Sequence, residues 1–177
     1  MSTTSSRPAS SLVREVLRGY TLPLWGDHGP AHWARVLENG LRLAHRTGAD
    51  PVVVAHFAVF HDARRINEYD DEHHGERGSQ LAREMRAEWL PFLSDEQFVL
   101  LTDACDRHTD GTTQGDVTVQ TCWDADRLDL WRVSIEPSDV YLCTSAAKSD
   151  EMKAWAYSRS LFKRVPSYVR SEWLIGD

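Results

Sequence analysis

An all-α single domain is the fold class this sequence predicts, and three observations predict it. The 177 residues, 41% of them hydrophobic, suffice for one core and are too few for two. Apolar residues recur with helical period between paired start and stop signals, such as Pro30 with Gly48. The one run that resembles a buried strand, Val52 to Val59, opens on Asp50-Pro51, contains alanines and is long enough for a helix.

Residues 1–11, MSTTSSRPASS, are small and polar and predict a disordered tail, with the domain occupying 12–177. Leu12, Val13, Val16 and Leu17 begin a helix for which Ser11 is the expected N-cap. The second helix starts at Pro30, runs to about Thr47, and puts His32, Val36, Gly40, Leu43 and Ala44 on one face. The third covers 50–62 and ends in the pair His61-Asp62. After Ala63-Arg64-Arg65, the stretch Asn67-Glu68-Tyr69-Asp70-Asp71 reads as a polar connection. A fourth helix is expected from His74 to Trp89, stopped by Pro91. Ser94-Asp95-Glu96-Gln97 fits a capping box and launches a fifth helix through Val99, Leu100, Ala104 and His108. The sixth begins near Asp116 or Val117 and is expected to carry Cys122, Asp126, Leu130 and Val133 on neighbouring turns. From about 145 the chain reads as helical again through Ser160, followed by an aromatic extension with Phe162, Tyr168 and Trp173 suited to core or lid packing.

Asp plus Glu exceed Lys plus Arg by 27 to 20, a net charge of −7, which argues against a protein built to hold long nucleic acid by its phosphates. No apolar run approaches the roughly 20 residues of a membrane span, and the first residues lack the apolar block of a signal peptide. Cys105, Cys122 and Cys143 have no paired ligand spacing. These features predict a cytoplasmic protein without a membrane partner. The informative residue is histidine: of eight, seven fall between His28 and His74, a density that suggests bound cations.

Ligand-type residues fall on the inward faces or ends of successive helices in the order His32, His61-Asp62, His74, His108, Asp126. A single histidine of this kind is usually a hydrogen-bonded core residue; the ordered set is harder to explain that way. From about Leu24 to Thr144 the chain resembles the HD-domain superfamily of metal-dependent phosphohydrolases. His32-Trp33-Ala34-Arg35-Val36 resembles the first-histidine segment, His61-Asp62 the signature pair, and Ala125-Asp126-Arg127-Leu128 the last-aspartate segment. His74, four before Gly78, and His108, before a glycine-containing loop, resemble the additional histidines of the binuclear branch; His73 is the alternative to His74.

The resemblance implies a helical bundle with a metal site in its core. His32, His61 and Asp126 would hold one ion, His74 and His108 another, with Asp62 between them as the central catalytic carboxylate. Consecutive helical residues project about 100° apart, so His61 and Asp62 do not chelate one ion side by side, whereas a carboxylate can bridge two. Imidazoles with carboxylates suit two divalent transition-metal ions drawn from Fe, Mn, Co, Ni or Zn. Two such ions carry more positive charge than the ligating aspartates cancel, leaving room for a hydroxide and an anionic substrate. The implied activity is hydrolysis of a phosphate ester or anhydride, the substrate a small phosphorylated molecule such as a nucleotide, and a homodimer is compatible with the sequence.

Around these ligands, Arg64, Arg65, Asn67 and Arg127 are candidates to hold phosphate, or else to pair with neighbouring carboxylates. His28 is a candidate general acid, a phosphate contact or a loop hydrogen-bond partner. Asp129, nearly one turn after Asp126, is a candidate base or partner for a ligating histidine. His45 and His56 read as structural. The same ligand set resembles that of HD-domain mixed-valence di-iron oxygenases, and a non-catalytic metal-stabilised module is a third reading; arginines beside the ligands favour the phosphohydrolase.

Overall fold

The computed structural model describes residues 7–174, which form α-helices with short 3-10 and π turns and no strand. The tail expected over 1–11 lies partly outside the described residues. Helix α1 spans Ser10–Leu17 with Ala9 at its N-cap, so Ser11 is inside the helix and no side chain caps it.

Helix α2, Pro30–Thr47, has proline in its first turn and is closed by Gly48 at φ 77°, a left-handed conformation that glycine adopts without steric cost. Helix α3, Pro51–Phe60, is the run that could have been a strand. Asp50 accepts hydrogen bonds from the amides of Val52 and Val53 at 2.8 and 3.3 Å, and Pro51 supplies a preset helical φ. With its start fixed, α3 buries every residue from Val53 to Phe60. It is apolar on all sides because α1, α2, α4, α6 and α7 pack around it.

The fourth predicted helix is two. Helix α4, His74–Glu84, ends at Met85, whose φ −86° and ψ −3° break the helical path before α5, Arg86–Trp89. The Arg86 guanidinium reaches the carbonyls of Leu90 and Leu93 and thereby folds the chain back toward the next helix. Helix α6, Asp95–Arg107, starts with the capping box: Ser94 Oγ accepts from Gln97 N at 3.1 Å and Gln97 Oε1 from Ser94 N at 2.9 Å. Gln97 Nε2 also donates to Asp50 Oδ2 at 2.8 Å, so the starts of α6 and α3 are joined.

Helix α7, Val117–Arg127, is capped by Asp116 through the Thr118 amide at 2.7 Å. It ends three residues before Leu130, which lies with Val133 in a separate 3-10 turn, Leu130–Val133. The expected helix after 145 is likewise divided. Ser149, extended at ψ 140°, separates α8, Ser145–Lys148, from α9, Asp150–Leu161, and caps the latter with its hydroxyl. In the aromatic extension Trp173 packs into the core and Tyr168 donates to the Ala34 carbonyl at 3.3 Å, whereas Phe162 is 78% exposed. Trp33, Leu37, Phe57, Phe60, Leu101 and Trp123 fill the centre of the bundle, and burying a side chain of this kind contributes about 1.5–3 kcal/mol.

Candidate metal centre

The ligand-type residues all lie in first or last turns. His32 is in the first turn of α2 and His74 opens α4; His61 and His108 are the C-caps of α3 and α6, and Asp126 is in the last turn of α7. Asp62 follows His61 in the turn leaving α3. Helix ends meet at one end of the bundle, and the cluster is where they meet.

Two buried groups of ligand atoms result, each with its atoms within 4.8 Å of one another: His32, His61 and Asp126, and Asp62, His74 and His108. In the first, Nε2 of His32 and Nε2 of His61 are 3.1 Å apart, and Asp126 Oδ1 lies 3.3 and 3.6 Å from them. In the second, Nε2 of His74 and Nε2 of His108 are 2.8 Å apart, with Asp62 Oδ1 at 3.1 and 3.7 Å. The other oxygen of Asp62 faces the first group, 3.4 Å from His32 Nε2 and 3.7 Å from His61 Nε2. Buried His/Asp groups that could hold metal ions are therefore present where the helix ends converge.

The hydrogen bonds on the far side of each ring explain why this arrangement suits cations. Nδ1 of His61, His74 and His108 faces the carbonyls of Phe57, Asp71 and Cys105 at 3.2, 2.5 and 2.8 Å. A carbonyl only accepts, so each Nδ1 carries the proton and each Nε2 presents a lone pair. Lone pairs and carboxylate oxygens then converge, an arrangement that needs positive charge, which Arg65 supplies only at the edge of the second group. Without metal, protons supply part of that charge. Burial and the nearby Arg132 push the His32 imidazole down, but hydrogen bonds to Asp126, Asp129 and Asp62 outweigh them and carry its pKa up to about 9. Burial pushes the carboxyls of Asp62 and Asp126 up, yet the surrounding histidines hold both well below the usual range.

Behind His32 stands a second layer of charge. Asp129 Oδ2 accepts from His32 Nδ1 at 2.7 Å, and Arg35 grips the carboxylate with Nε and Nη2 at 2.8 and 3.0 Å. Because α7 ends before it, Asp129 sits at the start of the 3-10 turn, where Arg132 Nη1 and Ser160 Oγ hold its carbonyl at 3.0 and 2.7 Å. Burial raises the Asp129 carboxyl, but the His32 hydrogen bond and the charges of His32 and Arg35 keep it low.

The remaining predicted residues divide. Arg65 is brought to the cluster, its Nη1 3.1 Å from His74 Nε2 and 3.6 Å from Asp62 Oδ1. His28 is adjacent, its ring edge-on to that of His32 with centroids 6.2 Å apart and its Nδ1 2.6 Å from Glu68 Oε2. Arg64 instead bonds the carbonyls of Val16 and Ala63. Asn67 is spent on its own turn, bonding Asp70 O and Tyr69 N. Arg127 ties loops together through Tyr141 O and Thr112 O. His73 is exposed beside Glu76, while His74 is buried. Arg35, Arg132 and Glu68 were not foreseen. Arg35 is one turn beyond His32 and that spacing could have found it; no local signal marks Glu68.

Close backbone approach brings α4 to this end of the bundle. A Cβ on Gly78 would collide with the carbonyl of Phe60, and one on Gly75 with that of Cys105.

The chain matches no family model, no curated protein and no solved structure. What fold and site define is an all-helical protein with buried His/Asp groups that could hold metal ions. Among the described residues, no helix is long and apolar enough to cross a membrane.

Proposed function

We propose that this chain is a cytoplasmic metal-dependent phosphohydrolase acting on a phosphate ester or anhydride in a nucleotide or similar small metabolite. One observation carries the proposal: Asp62 turns one oxygen toward His32 and His61 and the other toward His74 and His108. That is the disposition a carboxylate needs to bridge two cations. On this reading His32, His61 and Asp126 hold one divalent transition-metal ion, His74 and His108 hold a second, and Asp62 serves both. Such ions, when bound, supply an acidified water as nucleophile and positive charge for phosphoryl oxygens.

The chain's own residues account for the rest. Asp129 fixes the His32 ring so that Nε2 faces inward. Arg65, beside Asp62, offers a cation to an oxygen of the transferring group. His28 is the proposed proton donor to the leaving oxygen, a role in which Glu68 must hold its proton against the burial that lowers its pKa.

The test is to measure metal content, reconstitute the protein with Mn, Fe, Co, Ni or Zn, and assay phosphate release from a nucleotide and phosphate-ester panel while following oxygen. Metal-dependent phosphate release abolished by Asp62→Ala is expected. Iron-dependent oxygen uptake without phosphate release, or stoichiometric metal binding with no turnover of any substrate, overturns the proposal.

A further inference from the structure

The turn that leaves α3 delivers side chains in two directions. His61 and Asp62 meet the cluster, whereas Arg64 lies across the end of α1, with Nη1 on the carbonyls of Val16 and Ala63 at 3.0 and 2.9 Å. Gly19 gives it room: a Cβ there would stand 2.5 Å from Arg64 Nη2. From α4, Arg77 Nε donates to the Arg64 carbonyl at 2.9 Å and Nη2 pairs with Asp71. Arg64, Arg65 and Arg77, with Gly19, Thr21 and Gln80, line a groove of about 280 Å³. A single carboxylate, Glu84, lines it with them.

Structural duties use only part of these guanidiniums. Each has five N–H donors. Among the described residues, Arg64 Nη2 and Arg77 Nη1 have no hydrogen-bond partner. Arg64 is half-buried, and the desolvation that lowers its pKa is opposed by the charge of Glu84. Three guanidiniums converge on one small groove; Arg77 is paired with Asp71 and Arg65 stands 3.6 Å from Asp62, which leaves Arg64, opposed by Glu84 alone, as the cation an incoming anion would meet.

We propose that this groove is an anion site for a phosphate or diphosphate group. It is separate from the metal cluster and coupled to it through Arg65, which lines the groove and also reaches His74 and Asp62. The anion is either a distal phosphate of the molecule held at the cluster or a free phosphate.

The experiment titrates inorganic phosphate and, separately, inorganic pyrophosphate into the isotope-labelled, chelator-treated full chain, following backbone amide shifts. Saturable shifts at Gly19, Thr21, Ile66 and Gln80 are expected without metal. Arg64→Gln should weaken binding about tenfold, or about 1.4 kcal/mol, and Glu84→Gln should strengthen it severalfold. Opposite effects of two substitutions in one groove cannot come from loss of folding. Shifts confined to residues around His32 and Asp126, or equal affinity in wild type and both variants, overturn the proposal. Repeating the titration on metal-loaded protein with a nucleoside diphosphate separates the sources. A distal phosphate binds more tightly once the cluster is loaded, whereas a free anion binds equally with and without metal. Neither variant alters a cluster residue, so failure here leaves the metal-site proposal standing on its own test.

Discussion

Nδ1 of His32 lies 2.7 Å from Oδ2 of Asp129, and the same carboxylate is gripped by Arg35 through two nitrogens. The imidazole is therefore held in one orientation by a group that is itself immobilised. Asp129→Asn offers His32 a weaker acceptor and Arg35 a neutral one. Metal affinity should fall about 10–100-fold, the usual cost of losing such a support. Isothermal calorimetry with Zn or Mn checks this, and an unchanged affinity would count against the role given to Asp129.

Asp62 faces both ligand groups, whereas His108 belongs to one. Asp62→Ala should thus lower metal content more than His108→Ala does, and only the former should weaken binding at His32 and His61. Metal analysis of the purified variants decides it; equal losses would remove the bridging argument.

Protons and metal compete at His32. Its folded pKa of about 9 lies above the ordinary value of about 6.5, so proton binding favours the folded, metal-free state. That contribution is fully present below about pH 6.5 and is lost as pH rises through about 9. Chelated protein should melt at progressively lower temperature over that window, while metal affinity rises over the same range. Metal binding at pH 7 should also release protons, seen as a buffer-dependent enthalpy in calorimetry. A chelated protein whose melting temperature is flat from pH 6.5 to 9 would contradict the sign.

Gly78→Ala places a methyl group against the Phe60 carbonyl, which as backbone cannot swing aside. Helix α4 must withdraw from α3, at a cost of about 1–3 kcal/mol, and His74 moves with it. Chemical denaturation and metal titration should both register the change. Stability and affinity equal to wild type would show that the contact is looser than described.

Asp50→Ala removes the cap of α3 and its link to Gln97. A loss of about 1–2 kcal/mol is expected from the cap alone, with metal affinity unaltered because the ligands lie at the opposite end of α3. Urea denaturation provides the check.

The helices that carry the cluster were legible because each announces itself locally: Pro30 and Gly48 bracket α2, Asp50-Pro51 starts α3, and Ser94 with Gln97 starts α6. The break at Met85 was not, since it depends on where Arg86 finds partners as the chain turns back; the one at Ser149 had a local signal, its hydroxyl capping Met152 N, that the continuous helical reading passed over. The His and Asp residues that meet in the two groups could be picked out from their order and context, because helix ends are fixed by short-range chemistry. Their neighbours were legible only in part: Asp129 meets His32 and Arg65 meets His74 as their positions suggested. Arg64, Asn67 and Arg127 were candidates by adjacency alone; folding puts Asn67 and Arg127 on backbone partners and turns Arg64 away from the cluster, toward the end of α1. Glu68 meets His28 across 40 positions of sequence, a distance over which no periodicity operates.

The shared cap between Asp50 and Gln97 has a further effect at the opposite end of α3. A helix wrapped by five others and tied to α6 at its first turn has no route to local fraying, so its amides should exchange with solvent only when the whole molecule opens. His61 and Asp62 leave the last turn of that helix. Fraying of α3 would therefore not be a route by which a metal ion held there is lost.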